Sequence, residues 1–586
     1  MSHSKHDVAV KYQKQLPISN LKNRQWPSER LAKAPTWLST DLRDGNQALV
    51  NPMTLDQKWQ FFQLLVGMGF KQIEVSFPCA SDTEFNFTRR LVETPGAIPP
   101  DVTIEVISPC RKEALARTIE SIKGAPNAII FTFMATSDNY QETIFEASEE
   151  TLLERARTCT EYVRSITKDD PIASSQTNWS FGFGMEDFGN SRPEVALRLG
   201  ETVRNAWNPS RENPVILGLA TSVESHMPNV YADQVEYFST NISNRETVCI
   251  SLHTHNDRGC AVASAELGCL AGADRVEGCL FGNGERAGNL DLVTMALNCL
   301  TQGVDPGLDF SHLPYIRQVY EEITRLPIHP RTPYSGDLYF RAWSGSHQDS
   351  IRKGMIKYNN ARTDNTKQPT WRVPYLPLDP ADVGQSFNSV IGINSQSGKA
   401  GVSWVLLQEL GLDLPCEVAM EFSKVTKVHS ERLGRGLVDT EVCDLFLRTF
   451  SVREISEDVW LSCYGGPRVK LDINEYADLG SVEKMIARLS NLLARSFELA
   501  EIVSQNLDSV TAKSAVFIKC NLKGVGHVWG VGVGVGGMAI ARSVISALMA
   551  VTACEQNEAT RNPNWGMMGT PRGFAENVYE RRHVIT

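Results

Sequence analysis

The chain has 586 residues, which at roughly 150 residues per domain predicts about three or four domains. Hydrophobic residues make up 42%, charged residues 22% and aromatic residues 8%, a globular composition that excludes a disordered or fibrous chain. Fifty-eight basic against 68 acidic residues leave a net charge of -10 and no basic stripe, which argues against nucleic acid as the main partner.

From about Thr36 to Leu300, short apolar or β-branched runs alternate with amphipathic stretches. The predicted strands are Trp37–Thr40, Gln72–Phe77, Thr103–Ile107, Ala128–Phe133, Asn178–Phe183, Pro214–Leu219, Thr247–His253 and Arg275–Leu280. Predicted helices between them include Leu55–Met68, Arg111–Lys123, Glu150–Thr167, Pro193–Ala206, Ala232–Thr240, Cys260–Ala271 and Leu290–Leu300. Alternation of this kind reads as βα units on a parallel sheet, and eight units match a (β/α)8 TIM barrel. A doubly wound sheet is the competing architecture, but it needs only five or six strands. Polar residues gather at the ends of the predicted strands, among them Asp44, Glu74, Glu186, Ser222 and His253, and a barrel brings all those ends to one face.

Past Phe310 the pattern changes to a mainly helical linker region, with the polar run Ser344–Asp349 opening a helix and Pro374–Pro380 read as an extended, proline-stiffened linker. Residues 400–462 read as mostly helical. From Arg468 to Ala553 the order reads strand, helices, strands (Ala515–Asn521 and His527–Val535) and a helix (Met538–Ala550), a small α+β regulatory-like domain. The expected division is an extension at 1–35, the barrel at 36–310, linker subdomains at 311–465, the C-terminal domain at 466–555 and a tail at 556–586.

Thirteen cysteines without a CxxC pair fit a reducing compartment better than a disulfide framework. Residues 1–20 carry no arginine and no apolar run, and the least charged stretch, Lys523–Arg542, is glycine-studded and holds His527. The expectation is a soluble cytoplasmic protein without a membrane span, the mitochondrion being left open.

In Ser251–Asp257 (SLHTHND), His253 and His255 lie two apart, so in a strand both imidazoles face one side. Two imidazoles with a carboxylate such as Asp44 suit a divalent cation, although two strand-end histidines also serve as ordinary hydrogen-bonded loop residues. In Gly282–Asn289 (GNGERAGN), glycines let the backbone approach a ligand and a carboxamide offers oxygen to a hard metal, and a tight βα turn without a ligand fits equally well. Gly532–Gly537 matches GxGxxG after a strand, but too little chain follows for a dinucleotide fold, so a close-packed turn is preferred.

Taken together, STDLRDGNQAL (Ser39–Leu49), SLHTHNDRG (Ser251–Gly259), GNGERAGN, SGSHQD (Ser344–Asp349) and VPYLPLDPADVG (Val373–Gly384) resemble the longer subgroup of the 2-isopropylmalate synthases, across about Lys11 to Ala553. The resemblance implies condensation of acetyl-CoA with a 2-oxo acid, 2-oxoisovalerate being the family substrate, followed by thioester hydrolysis to a 2-substituted malate and CoA. It implies a divalent cation, Mg2+ first with Zn2+ or Mn2+ as alternatives, on Asp44, His253, His255 and Asn289. Arg43 would hold the oxo-acid oxygens, and Glu186 would be the base. His347 and Tyr375 would reach the barrel mouth from the partner subunit, so activity would require a homodimer.

The chain departs from the family at Phe131 (a histidine in the family), Gly184 (a serine), Gly218 (an asparagine) and Ser222 (a threonine), positions lining or flanking the oxo-acid side chain. Two changes to glycine are expected to remove side-chain volume and polar partners and Phe131 to add an apolar wall, which favours a bulkier or aromatic 2-oxo acid in specialised biosynthesis as an alternative to the leucine-pathway substrate. The family's glycine-rich regulatory loop is missing at Ser481–Lys484, so weak or absent leucine feedback is expected. A homocitrate or citramalate synthase, a lyase of the same barrel group and a non-catalytic descendant are the competing readings.

Overall fold

Eight predicted strands emerge as eight observed ones. The computed structural model describes residues 21, 23–363, 370–385, 392–450, 458–462, 468–472, 484–485, 487, 497–508, 513–522 and 526–535. The strands are β1 (Thr36–Ser39), β2 (Gln72–Ser76), β3 (Thr103–Pro109), β4 (Asn127–Ala135), β5 (Asn178–Glu186), β6 (Val215–Thr221), β7 (Val248–Thr254) and β8 (Arg275–Gly278). All pair in parallel in sequence order, and β8 closes on β1 with Trp37 opposite Val276. Each strand is followed by a helix that packs outside the ring, so one face collects every strand C-terminus.

Local chemistry starts and stops these elements. Thr54 accepts from the Gln57 amide while the Gln57 side chain accepts from the Thr54 amide, a capping box that opens helix Leu55–Gly67. Helix Asp82–Glu93, between β2 and β3, is absent from the sequence reading; its Ser81 cap accepts from the Glu84 amide, and it buries Phe87, Thr88 and Leu91. Directly after β1, residues Asp41–Gly45 form one π-helical turn, a wide turn often found at functional sites, and this turn carries Arg43 and Asp44.

The chain divides into two compact units, one of Met1–Tyr339 with Asp382–Gly384 and one of Phe340–Ala381 with Gln385–Thr586. In the second, helices Lys399–Leu410, Cys416–Leu433 and Asp439–Thr449 pack around Val402, Leu406, Phe422 and Phe446. The Pro374–Pro380 segment is a series of turns that buries Leu376 and Leu378, so it is packed where the sequence suggested an extended linker. Asp458–Ser462 pairs antiparallel with Arg468–Asp472, a strand at the end of a region read as helical. Phe497–Asp508 is likewise a strand, pairing with Lys513–Leu522, which pairs in turn with Gly526–Val535. Helix-favouring Leu, Glu and Ala in that stretch are overridden by the non-local partner strand. Helix Met538–Ala550 and residues 481–483 lie outside the described residues. Among the described residues, no helix is long and apolar enough to cross a membrane.

Candidate active site

Side chains alternate along a strand, so Ser251, His253 and, just past β7, His255 share the inward side. At the mouth of the barrel, ligand atoms of Asp44, His253 and His255 lie within 4.8 Å of one another. His253 Nε2 is 3.3 Å from Asp44 Oδ2, and the two imidazole rings are 5.2 Å apart. Asn289, at the end of the turn after β8, donates to Asp44 Oδ2 at 2.6 Å. The glycines of that turn serve its closure: Gly288 has φ +98°, and a Cβ there would stand 2.0 Å from the Gly282 carbonyl oxygen.

Beneath the cluster runs a chain of opposite charges. Glu74 meets Arg43 at 2.8 Å, Arg43 meets Asp44 at 2.7 Å, Asp44 meets His253, and His253 meets Glu277 at 3.1 Å. Glu277 continues to Arg275 at 2.7 Å and Arg275 to Glu105 at 2.8 Å, with Arg275 fully buried. Four carboxylates thus alternate with two guanidiniums inside a low-dielectric barrel, where burial raises Glu74 to about 8 and raises Glu105 as well. His255 Nδ1 and Asn289 Oδ1 are buried without a hydrogen-bond partner beside Asp44. Two imidazoles and a carboxylate, with an unpartnered carboxamide oxygen beside them, fit a divalent metal.

Protonation follows the same map. Burial pushes Asp44 up, but Arg43 and His253 outweigh it and hold its carboxyl well below the usual carboxylate range. Burial would lower His253, yet hydrogen bonds to Asp44 and Glu277 hold it up at about 10, on a proton that a cation would displace on binding. Burial and the neighbouring His253 lower His255 to about 4, which keeps its imidazole neutral as a ligand must be. Burial raises Glu186, and Asp187 beside it adds to the rise.

A cleft of 530 Å³ opens above, and Arg43, Asp44, His253, His255 and Glu186 all line it. Phe131, Gly184, Gly218 and Ser222 line it as well, with Phe77, Ile107 and Phe133. The glycines do not leave empty space. A Cβ on Gly182, Gly184 or Gly218 would come within 2.3, 2.8 or 2.9 Å of the Phe131 ring, which therefore rests on the bare backbone of three glycines in β5 and β6. Arg275 lies 5.8 Å from the centre of that ring. The expected gain in volume is thus taken up by Phe131 itself. Ser222 Oγ accepts from the Asp187 amide at 2.8 Å and so braces the loop behind Glu186.

In the second unit, His347 and Tyr375 come together as stacked rings 4.0 Å apart, and Tyr375 holds a left-handed φ of +65°, a strained conformation for an aromatic residue. Glu105, Arg275 and Glu277 escaped the sequence reading, although Arg-x-Glu in β8 puts two charges on the inward side of an otherwise apolar strand. Asp257, within the histidine motif, is a brace: it accepts from the Glu224 amide at 2.9 Å and from Arg286 Nε at 2.7 Å.

A family model described as HMGL-like matches residues 34–319, and one described as alpha-isopropylmalate synthase, post-catalytic domain-like, matches residues 337–407. Isopropyl malate synthase htyA of Aspergillus rugulosus is 56% identical over 546 residues, covering 91% of this chain and 92% of that protein. Isopropyl malate synthase gloH of Glarea lozoyensis is 55% identical over 549 residues, 89% of each chain. The 2-isopropylmalate synthase of Saccharomyces cerevisiae is 45% identical over 550 residues, 90% of this chain and 88% of its own.

Proposed function

The chain belongs to the isopropylmalate synthases, and from that premise we propose how its residues divide the condensation of acetyl-CoA with a 2-oxo acid. The observation that carries the assignment is the Asp44–His253–His255 cluster, facing the same cleft as Glu186. Asp44, His253, His255 and Asn289 would hold the divalent cation, Mg2+ in this reading because two of the donors are hard oxygens. Bound there, the cation supplies a Lewis acid for the oxo acid's carbonyl oxygen.

Arg43, fixed between Asp44 and Glu74, presents a permanent positive charge to the oxygen on which negative charge develops. Glu186 takes a proton from the acetyl methyl group, whose carbon then forms the new bond to the oxo carbon. The alkoxide gains a proton, and water cleaves the thioester to release CoA and a 2-substituted malate. His347 and Tyr375, already preassembled on each other, complete the mouth from the partner subunit of a homodimer. Specific activity is expected to fall on dilution through the dimer dissociation constant, and activity independent of dilution down to the monomer would refute that role. The reaction is placed in the cytoplasm, with the mitochondrion as the alternative that fractionation decides.

The deciding assay follows free thiol released from acetyl-CoA across a panel of 2-oxo acids, with and without a chelator. Thiol release that ignores the chelator would overturn the metal assignment, and none with any 2-oxo acid would overturn the reaction.

A second reading concerns the substrate. The ring of Phe131 takes up the volume that would have favoured a bulkier 2-oxo acid. Phe77, Ile107, Phe131 and Phe133 nevertheless give the cleft apolar walls that suit an aromatic 2-oxo acid in specialised biosynthesis, against 2-oxoisovalerate in leucine biosynthesis. Arylpyruvates are expected to outcompete 2-oxoisovalerate in mixed turnover, and a preference for 2-oxoisovalerate refutes this. Phe131→Ala is expected to change kcat/KM between the two classes by roughly 10–200-fold, the range that side-chain fit in an apolar pocket supplies.

A further inference from the structure

Glu277 stands on β8, one residue pair below the barrel mouth, and takes no part in the chemistry assigned above. Its carboxylate is 3% exposed and used on both oxygens. Oε1 accepts from Ser251 Oγ at 2.6 Å and from Arg275 Nη2 at 2.7 Å. Oε2 faces His253 Nδ1 at 3.1 Å. Arg275 is itself pinned, donating from Nη1 to Glu105 at 2.8 Å and to Gln72 at 3.1 Å, and from Nε to Ser251 at 2.8 Å. Strands β2, β3, β7 and β8 therefore fix the position of one carboxylate, and that carboxylate fixes one imidazole.

We infer that Glu277 is a positioning residue for His253, accepting from Nδ1–H so that Nε2 presents its lone pair toward Asp44 and the cation. Acceptor-only carboxylates select that tautomer, because a neutral imidazole has one donor and one acceptor nitrogen. Partners of this kind orient a metal-bound histidine, and their loss typically weakens metal binding by roughly 10–100-fold. The inference rests on the metal reading proposed above.

Glu277→Gln is a nearly isosteric test with a built-in direction. The amide oxygen must take the position of Oε1, where two donors converge, which leaves the amide nitrogen pointing at His253 Nδ1. Nδ1 must then accept, the proton moves to Nε2, and the nitrogen facing Asp44 has no lone pair to give. Glu277→Asp keeps an acceptor and serves as the conservative variant.

The experiment titrates the metal-free full-length protein with Mn2+, following free ion by electron paramagnetic resonance and heat by calorimetry, with no turnover involved. The Gln variant is expected to raise Kd by about 10–100-fold, with its circular dichroism unchanged, and the Asp variant to recover most of the loss. A Gln variant that binds Mn2+ like the wild type overturns the inference while leaving the metal site standing. A wild type whose binding is unaffected by Asp44→Asn overturns the metal reading beneath it. Should the Gln variant fail to fold, Ser251→Ala removes one anchor of Glu277 without touching its charge. A raised Kd in that variant supports the positioning role, and an unchanged one overturns it.

Discussion

Asp44→Asn is expected to reduce turnover to below about one hundredth of wild type, more than the 10–100-fold typical of a residue that only orients a ligand. The change keeps size and shape and removes one charge. That charge is the middle link between Arg43 and His253, at 2.7 and 3.3 Å. Without it the proposed cation site would lack its anionic ligand, the guanidinium loses one of its two carboxylate partners, and Asn289 Nδ2 loses a charged acceptor. Breaking a buried pair on one side leaves an uncompensated charge and typically costs about 3–5 kcal/mol, so metal-free stability should fall as well. Activity and metal content measured on the same preparation check the result. Full metal content with near-wild-type turnover would remove Asp44 from the site.

Glu186→Gln is expected to lower kcat by about 10²- to 10⁴-fold while leaving Mn2+ affinity unchanged, because it deletes the proposed proton acceptor, which is not among the residues proposed to hold the cation. The pH dependence has a definite sign. A base works deprotonated, so kcat/KM falls as pH drops through the pKa of Glu186, and burial with Asp187 nearby places that limb higher than for an ordinary glutamate. Asp187→Asn removes the lesser of the two causes and keeps the left-handed backbone at φ +56°, which asparagine tolerates. The acid limb should move to lower pH in that variant. A limb that stays in place, or one that persists in Glu186→Gln, would assign it to another group.

The barrel was legible because each βα unit carries its own periodicity: all eight strands lie within three residues of the positions read from alternation. Helix Asp82–Glu93 was missed although Ser81 and Glu84 spell a helix start, since its apolar face is only Phe87, Leu91 and neighbours. Phe497–Asp508 misled in the opposite way, as its composition is helical and its strand partner lies further along the chain. The candidate cluster was readable as His-x-His and a strand-end aspartate, because these motifs are short and local. The carboxylate behind His253 was not, since Glu277, Arg275 and Glu105 make sense only once β3, β7 and β8 are adjacent. The role of Gly184 and Gly218 was half readable: the missing side chains were evident, but the ring of Phe131 lying across them required the register that sets Phe131 opposite Gly182.

The row of alternating charges also spans the seam where the ring of strands shuts, since its members come from β2, β3, β7, β8 and the turn after β1. An ion that completes this row fastens the first strands to the last. Ligand occupancy at 100 times Kd adds about 2.7 kcal/mol to a fold that binds it only when closed. Purification in chelating buffer would therefore yield a looser barrel that melts earlier and is cut faster by protease, and returning the metal before storage would restore it.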